Sequence, residues 1–216
     1  MILSGDLHFD LSGLLSLRKL LFSSCCIDRW PKLPPSIEVW DNHATKTIEN
    51  TVFLETTDAS RIGTLGKLKF LRFNRTSPPP PMFSFMPARS TASLTSLDIR
   101  STSANSLFST ASRYDFSEHL TNLRELAWGD NQGERNIDSL GWLENLEIVS
   151  LVASPIHGAD LIELLKRPTN RLRQITLTDC ENVSSDTIEW ARSRGVKVHV
   201  KKSQAVLGSE RRVRGH

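Results

Sequence analysis

One short pattern returns along the whole of this 216-residue chain. The unit is apolar-x-x-apolar-x-apolar-x-x-polar. It appears first as Leu17-x-x-Leu20-x-Phe22-x-x-Cys25 and Pro34-x-x-Ile37-x-Val39-x-x-Asn42. It continues as Leu68-x-x-Leu71-x-Phe73-x-x-Thr76, Leu94-x-x-Leu97-x-Ile99-x-x-Thr102 and Leu123-x-x-Leu126-x-Trp128-x-x-Asn131. Leu146-x-x-Val149-x-Leu151-x-x-Ser154 and Leu172-x-x-Ile175-x-Leu177-x-x-Cys180 follow, and Val196-x-Val198-x-Val200 closes the series. Most units recur at roughly 20–29 residues, a period that stacks supersecondary units in a row.

Each part of the unit has a physical role. The apolar-x-apolar pair is a short strand with one face buried, because side chains alternate across a strand. The polar residue three places on sits at the turn, where its side chain can satisfy backbone groups. Between strands, Asp160–Lys166 reads as a short helix stopped by Pro168. Ser184 caps a second helix with Ile188 and Ala191 on its apolar face, and Gly195 ends it. Leu11, Leu14, Leu15 and Leu17 suggest a first helix or turn, and Ile137, Leu140 and Leu143 another helical stretch.

The expected fold is therefore an α/β solenoid of about eight irregular repeats, with a curved parallel sheet on the concave side and short helices and loops on the convex side. It spans 1–200 as one domain, with loop insertions near 77–93 and 101–117. Ser77-Pro78-Pro79-Pro80-Pro81 marks the first insertion and fits an extended surface loop. The register between about 40 and 66 is the least determined, and Thr51-Val52-Phe53-Leu54-Glu55 can hide an extra strand. The net charge of +3 comes from the end of the chain. Residues 201–216 carry Lys201, Lys202, Arg211, Arg212 and Arg214 against Glu210, and are expected to be a basic disordered tail.

The segment from Leu177 through Cys180 to Ile188 and Ala191 resembles the cysteine-containing repeats of F-box/leucine-rich-repeat proteins, and the irregular periods resemble fungal members. That resemblance implies a substrate-recognition array of a ubiquitin ligase receptor. The F-box itself is absent ahead of the first repeat, so binding of a ligase adaptor is not expected. The first fifteen residues or so are expected to cap the array weakly.

A partner would meet the outward residues of the strands. The rows place Glu38, Trp40, Arg72, Asn74, Arg75, Asp98 and Arg100 together, and exposed Trp and Arg are enriched at binding hot spots. The plainer reading is that Glu38, Arg72 and Asp98 pair with neighbouring strands. Trp128, at the second apolar position of its unit, is expected in the core.

No catalytic, cofactor-binding or metal-binding set is legible. Cys25 and Cys26 have no base at a telling spacing. The six histidines are scattered, and Gly129-Asp130-Asn131-Gln132-Gly133 lacks the Lys-Ser/Thr of a phosphate loop. No cofactor, small-molecule substrate or membrane span is expected. Nucleic-acid binding through the tail and a structural array without a partner stand as alternatives to a protein-binding module. The setting expected is intracellular, cytoplasmic or nuclear.

Overall fold

The computed structural model describes residues 10–24, 26–27, 32–43, 46–47, 65–74, 92–100, 120–129, 140 and 143–202, with the backbone alone at 26–27, 46–47 and 73–74. In chain order the elements are β1 (Lys19–Ser23), β2 (Cys26–Ile27), β3 (Val39–His43), β4 (Lys46–Thr47), β5 (Phe70–Asn74), β6 (Ser96–Ile99), β7 (Glu125–Gly129), β8 (Ile148–Val152), α1 (Gly158–Lys166), β9 (Gln174–Thr178), α2 (Ser185–Ser193) and β10 (Lys197–Lys201). Eight of the strands form one parallel sheet in the order β1-β3-β5-β6-β7-β8-β9-β10, so each repeat lies beside the one before it. The short strands β2 and β4 pair separately through Cys26–Lys46 and Ile27–Thr47.

The repeat pattern forms the core as the alternation requires. Leu71, Leu97, Leu126, Val149, Ile175 and Val198 occupy one inward row, and Ile99, Trp128, Leu151 and Leu177 the next, all buried. Trp128 is thus a core residue, as its position predicts. The chain reaches its strands through the same tight turn in repeat after repeat. Leu17, Leu68, Leu123 and Leu146 donate their N–H to the carbonyl three residues earlier, at 2.9, 3.0, 3.0 and 3.0 Å. Serines tie neighbouring turns together: Ser36 Oγ donates to Leu17 O at 2.7 Å and Ser93 Oγ to Leu68 O at 2.8 Å.

The second repeat corrects the sequence reading. Leu20 pairs with Trp40 and Phe22 with Asn42, so the unit is Ile37-x-x-Trp40-x-Asn42, three residues later than the predicted Pro34-x-x-Ile37-x-Val39. Glu38 N–H and Val39 N–H both donate to Arg18 O, at 2.8 and 3.0 Å, which locks this register. It buries the large Trp40 ring and leaves the smaller Val39 half-buried. Burial free energy scales with apolar area, and an indole removes more of it than an isopropyl group.

The two helices form where expected. His157 N–H donates to Asp160 Oδ2 at 2.9 Å at the start of α1, and Pro168 follows its end. Ser184 Oγ accepts Thr187 N–H at 3.3 Å at the start of α2, and Gly195, with φ of 83°, follows its end. Leu161 and Leu164 of α1 and Thr187 and Ala191 of α2 are buried. The first repeat is the least covered: Leu14, Leu15 and Leu21 are exposed, and Leu17, Leu20 and Phe22 are only partly buried. Leu14 and Leu17 stand in turns, not a helix.

Strand β10 runs to Lys201, the first residue of the expected tail. The rest of that tail beyond Lys202, the Pro-rich segment 77–81, the insertion 101–117, the strand suggested at 51–55 and Cys25 lie outside the described residues.

Candidate functional site

The face of the sheet turned away from the core carries residues alternating with the buried rows. Register places Asp41 of β3 opposite Arg72 of β5, and Arg72 opposite Asp98 of β6. Their side chains join in sequence. Arg72 Nη1 donates to Asp41 Oδ2 and Arg72 Nε to Asp98 Oδ2, each at 3.0 Å. Arg100 grips the same carboxylate with two nitrogens: Nε donates to Asp98 Oδ1 at 2.9 Å and Nη2 to Oδ2 at 2.6 Å. The Arg72 guanidinium also lies 5.2 Å from the Phe70 ring centroid, within cation–π range.

Asp98 is the anchor of this chain of charges, since it is 5% exposed. Burial on its own would raise its carboxyl pKa. The hydrogen bonds and charge of Arg100, with the charge of Arg72, outweigh burial and hold Asp98 below the usual carboxylate range. The same partnership raises Arg100 above its ordinary value. The two arginine side chains stay part-exposed while held on a buried acid, Arg72 at 33% and Arg100 at 39%.

The expected site residues divide as follows. Arg72, Asp98 and Arg100 come together. Trp40 does not join them: it is 1% exposed and belongs to the core. The expectation of an exposed Trp40 came from the early register of the second repeat and falls with it. Glu38 moves for the same reason. It stands ahead of β3 and pairs with Arg18 Nη1 at 2.7 Å and Lys69 Nζ at 3.0 Å. Asn74 ends β5, and Arg75 lies outside the described residues. Asp41 takes the place in the central row that Glu38 had been given. Shifting the second unit to Ile37-x-x-Trp40 was the signal that could have found it.

Towards β7, β8 and β9 the same row carries Ala127, Ser150 and Thr176, small or neutral residues. Cys180 plays the turn role its repeat position predicts: its Sγ lies 3.6 Å from Leu151 O and 3.5 Å from Thr178 O. Burial pushes its thiol above the ordinary value, opposite to what a nucleophile needs. Among the described residues no three His, Cys, Asp or Glu side chains gather as a metal set would, and no helix is long and apolar enough to cross a membrane.

No family model and no curated protein matches the chain. Among solved structures it is similar to a leucine-rich-repeat protein of Leptospira interrogans, with a TM-score of 0.55 at 16% sequence identity. The match covers 87% of this chain and 44% of that one, so the chain spans less than half the length of its neighbour. With eight parallel strands in one open sheet, this likeness shows the fold: the chain is a leucine-rich-repeat solenoid.

Proposed function

We propose that the chain is a non-catalytic protein-binding module whose contact surface is the open face of β3, β5 and β6. The observation that supports this is the Asp41–Arg72–Asp98–Arg100 chain, in which two part-exposed guanidinium groups are fixed on a buried carboxylate. Side chains ordered before a partner arrives lose little entropy on binding, and Arg in such a setting is a frequent hot spot. Asn74 and Arg75 stay in the proposal on their place in the sequence alone.

The test compares capture of protein partners by wild type and by Arg72→Ala/Arg100→Ala. Capture falls about tenfold if the face carries the binding. That variant strips Asp98 of its partners, so Arg72→Lys/Arg100→Lys accompanies it, keeping the charge but losing the planar fork. Unchanged capture by both folded variants removes this face from consideration.

A narrower reading, substrate recognition for an F-box-type ubiquitin ligase, is favoured by the likeness of the Leu177–Ala191 segment and by the turn role of Cys180. It places the chain in the cytoplasm or nucleus. Captured partners that carry no ubiquitin in the cell would sink it.

A further inference from the structure

The first strand of the sheet has one edge open. Among the described residues β1 pairs only with β3, and the sheet ends there. Val39 N–H donates to Arg18 O at 3.0 Å, and Ser24 N–H to His43 O at 2.9 Å. Backbone groups along a strand turn to one side and the other at alternate residues. Arg18, Leu20, Phe22 and Ser24 therefore face β3, and Lys19, Leu21 and Ser23 direct their N–H and C=O groups to the open edge. Such an edge is a template for another strand.

This edge is apolar where edges are commonly charged. Leu21 is 66% exposed on the open face, and Leu20 and Phe22 on the other face are only partly buried. Leu14 and Leu15, in the turns ahead of β1, are 52% and 69% exposed. The far end of the sheet is built differently. Strand β10 begins with Lys197 and ends with Lys201, both exposed. Lysine on an edge strand discourages pairing.

We propose that β1 pairs with β1 of a second copy, antiparallel about a two-fold axis through Leu21, into a homodimer with one continuous sheet. The strand is complementary to itself in that register. Lys19 falls opposite Ser23 of the second copy, Leu20 opposite Phe22, and Leu21 opposite Leu21. Leu21 with its counterpart, and Lys19 with Ser23, form pairs in which facing residues exchange both backbone bonds. The three edge N–H groups of each strand thus meet the three C=O groups of the other. A slip of two residues leaves one end residue of each strand without a partner in the other. No charge stands opposite a like charge. The other pairings of copies fare worse. Head-to-tail stacking in the register of the sheet sets Lys19 opposite Lys197. Two β10 edges paired antiparallel about His199 set Lys197 opposite Lys201 twice. Like charges directly opposite are destabilising. A head-to-tail contact also propagates, whereas a two-fold contact closes at the dimer.

Sedimentation velocity with the full chain under reducing conditions tests this. A dimer is expected at about 50 µM chain, dissociating on dilution as mass action requires. Leu21→Lys sets two cations against each other on the axis and should weaken association about tenfold or more. Leu21 is exposed in the single copy, so that variant keeps its fold, which circular dichroism verifies. A second variant reads the geometry without depending on the first. Facing residues in such a pair lie about 5.5 Å apart at Cα, within reach of a disulfide, so Leu21→Cys should cross-link to dimer under mild oxidation. His199→Cys, at the centre of β10, should cross-link no more than wild type. The proposal is overturned by a monomer at that concentration, as would follow if residues 1–9 of the same chain covered β1. It is equally overturned by species that grow beyond the dimer, by a dimer that Leu21→Lys leaves intact, or by Leu21→Cys cross-linking no more than wild type.

Discussion

Arg72 Nε donates to Asp98 Oδ2 across 3.0 Å, from one parallel strand to the next, and the acceptor is a carboxylate that water hardly reaches. The folded-state pKa of Asp98 is lowered, so its contribution is complete above the unfolded value of about 3.9 and is lost as pH falls through the lower folded value. Asp98→Asn should cost about 2 kcal/mol at neutral pH, as expected for losing hydrogen bonds to a charged group. Urea unfolding from neutral to acidic pH checks the sign. The stability gap between wild type and variant should narrow below about pH 4; a constant gap would show that the carboxylate's charge is not what matters.

Trp40 is expected to behave as a core residue. It is 1% exposed, so Trp40→Ala should lower stability by about 4 kcal/mol. Trp40→Phe should lose much less. Thermal unfolding of the two variants measures this, and a near-neutral alanine variant would return Trp40 to the surface.

Asn42 has the opposite character. It is fully buried at a strand position that Ile99, Trp128, Leu151 and Leu177 fill in other repeats. Among the described residues neither atom of its amide has a hydrogen-bond partner. Replacing an unpaired buried amide by an apolar group of similar size removes a desolvation cost, so Asn42→Leu should raise stability by about 1 kcal/mol. A lower denaturant midpoint for the leucine variant would contradict this.

Ala153 turns the chain after β8 with φ of 48°, as Ser24 and Asp179 do after β1 and β9, at 50° and 53°. Its N–H donates to Thr178 O at 2.8 Å, which holds the left-handed conformation. That conformation costs a non-glycine residue about 1–2 kcal/mol, more than the chain entropy glycine adds to the unfolded state. Ala153→Gly should therefore stabilise by about 0.5 kcal/mol, and chemical unfolding can resolve the sign.

Gly158 begins α1 against Thr187 of α2. A Cβ there would overlap Thr187 Oγ1, an atom already hydrogen-bonded to Ser184 Oγ at 3.1 Å. Gly158→Ala should cost about 2 kcal/mol, in the range of overpacking. The double variant with Thr187→Ala should cost less than the two single changes together. Strict additivity in a double-mutant cycle would show the contact is not the cause.

Much of this was legible in residue order alone. Leu97, Leu126, Val149, Ile175 and Val198 line the core because leucine-rich spacing matches the alternation of a strand, a local property that any stretch of chain carries with it. The helix boundaries at Pro168, Ser184 and Gly195 were legible for the same reason, since each acts on its own backbone. The second repeat was not. Pro34, Ile37 and Val39 satisfy the apolar pattern better than Ile37, Trp40 and Asn42, yet the N–H groups of Glu38 and Val39 meet Arg18 O in the later register. Register between parallel strands depends on hydrogen bonds and ring burial contributed by distant repeats. Three positions of slip there carried Trp40 into the core, put Asp41 beside Arg72, and aligned Glu38 between Arg18 and Lys69. The repeating chemistry was thus written in the sequence, while the neighbours of each charge were decided by stacking one repeat on the next.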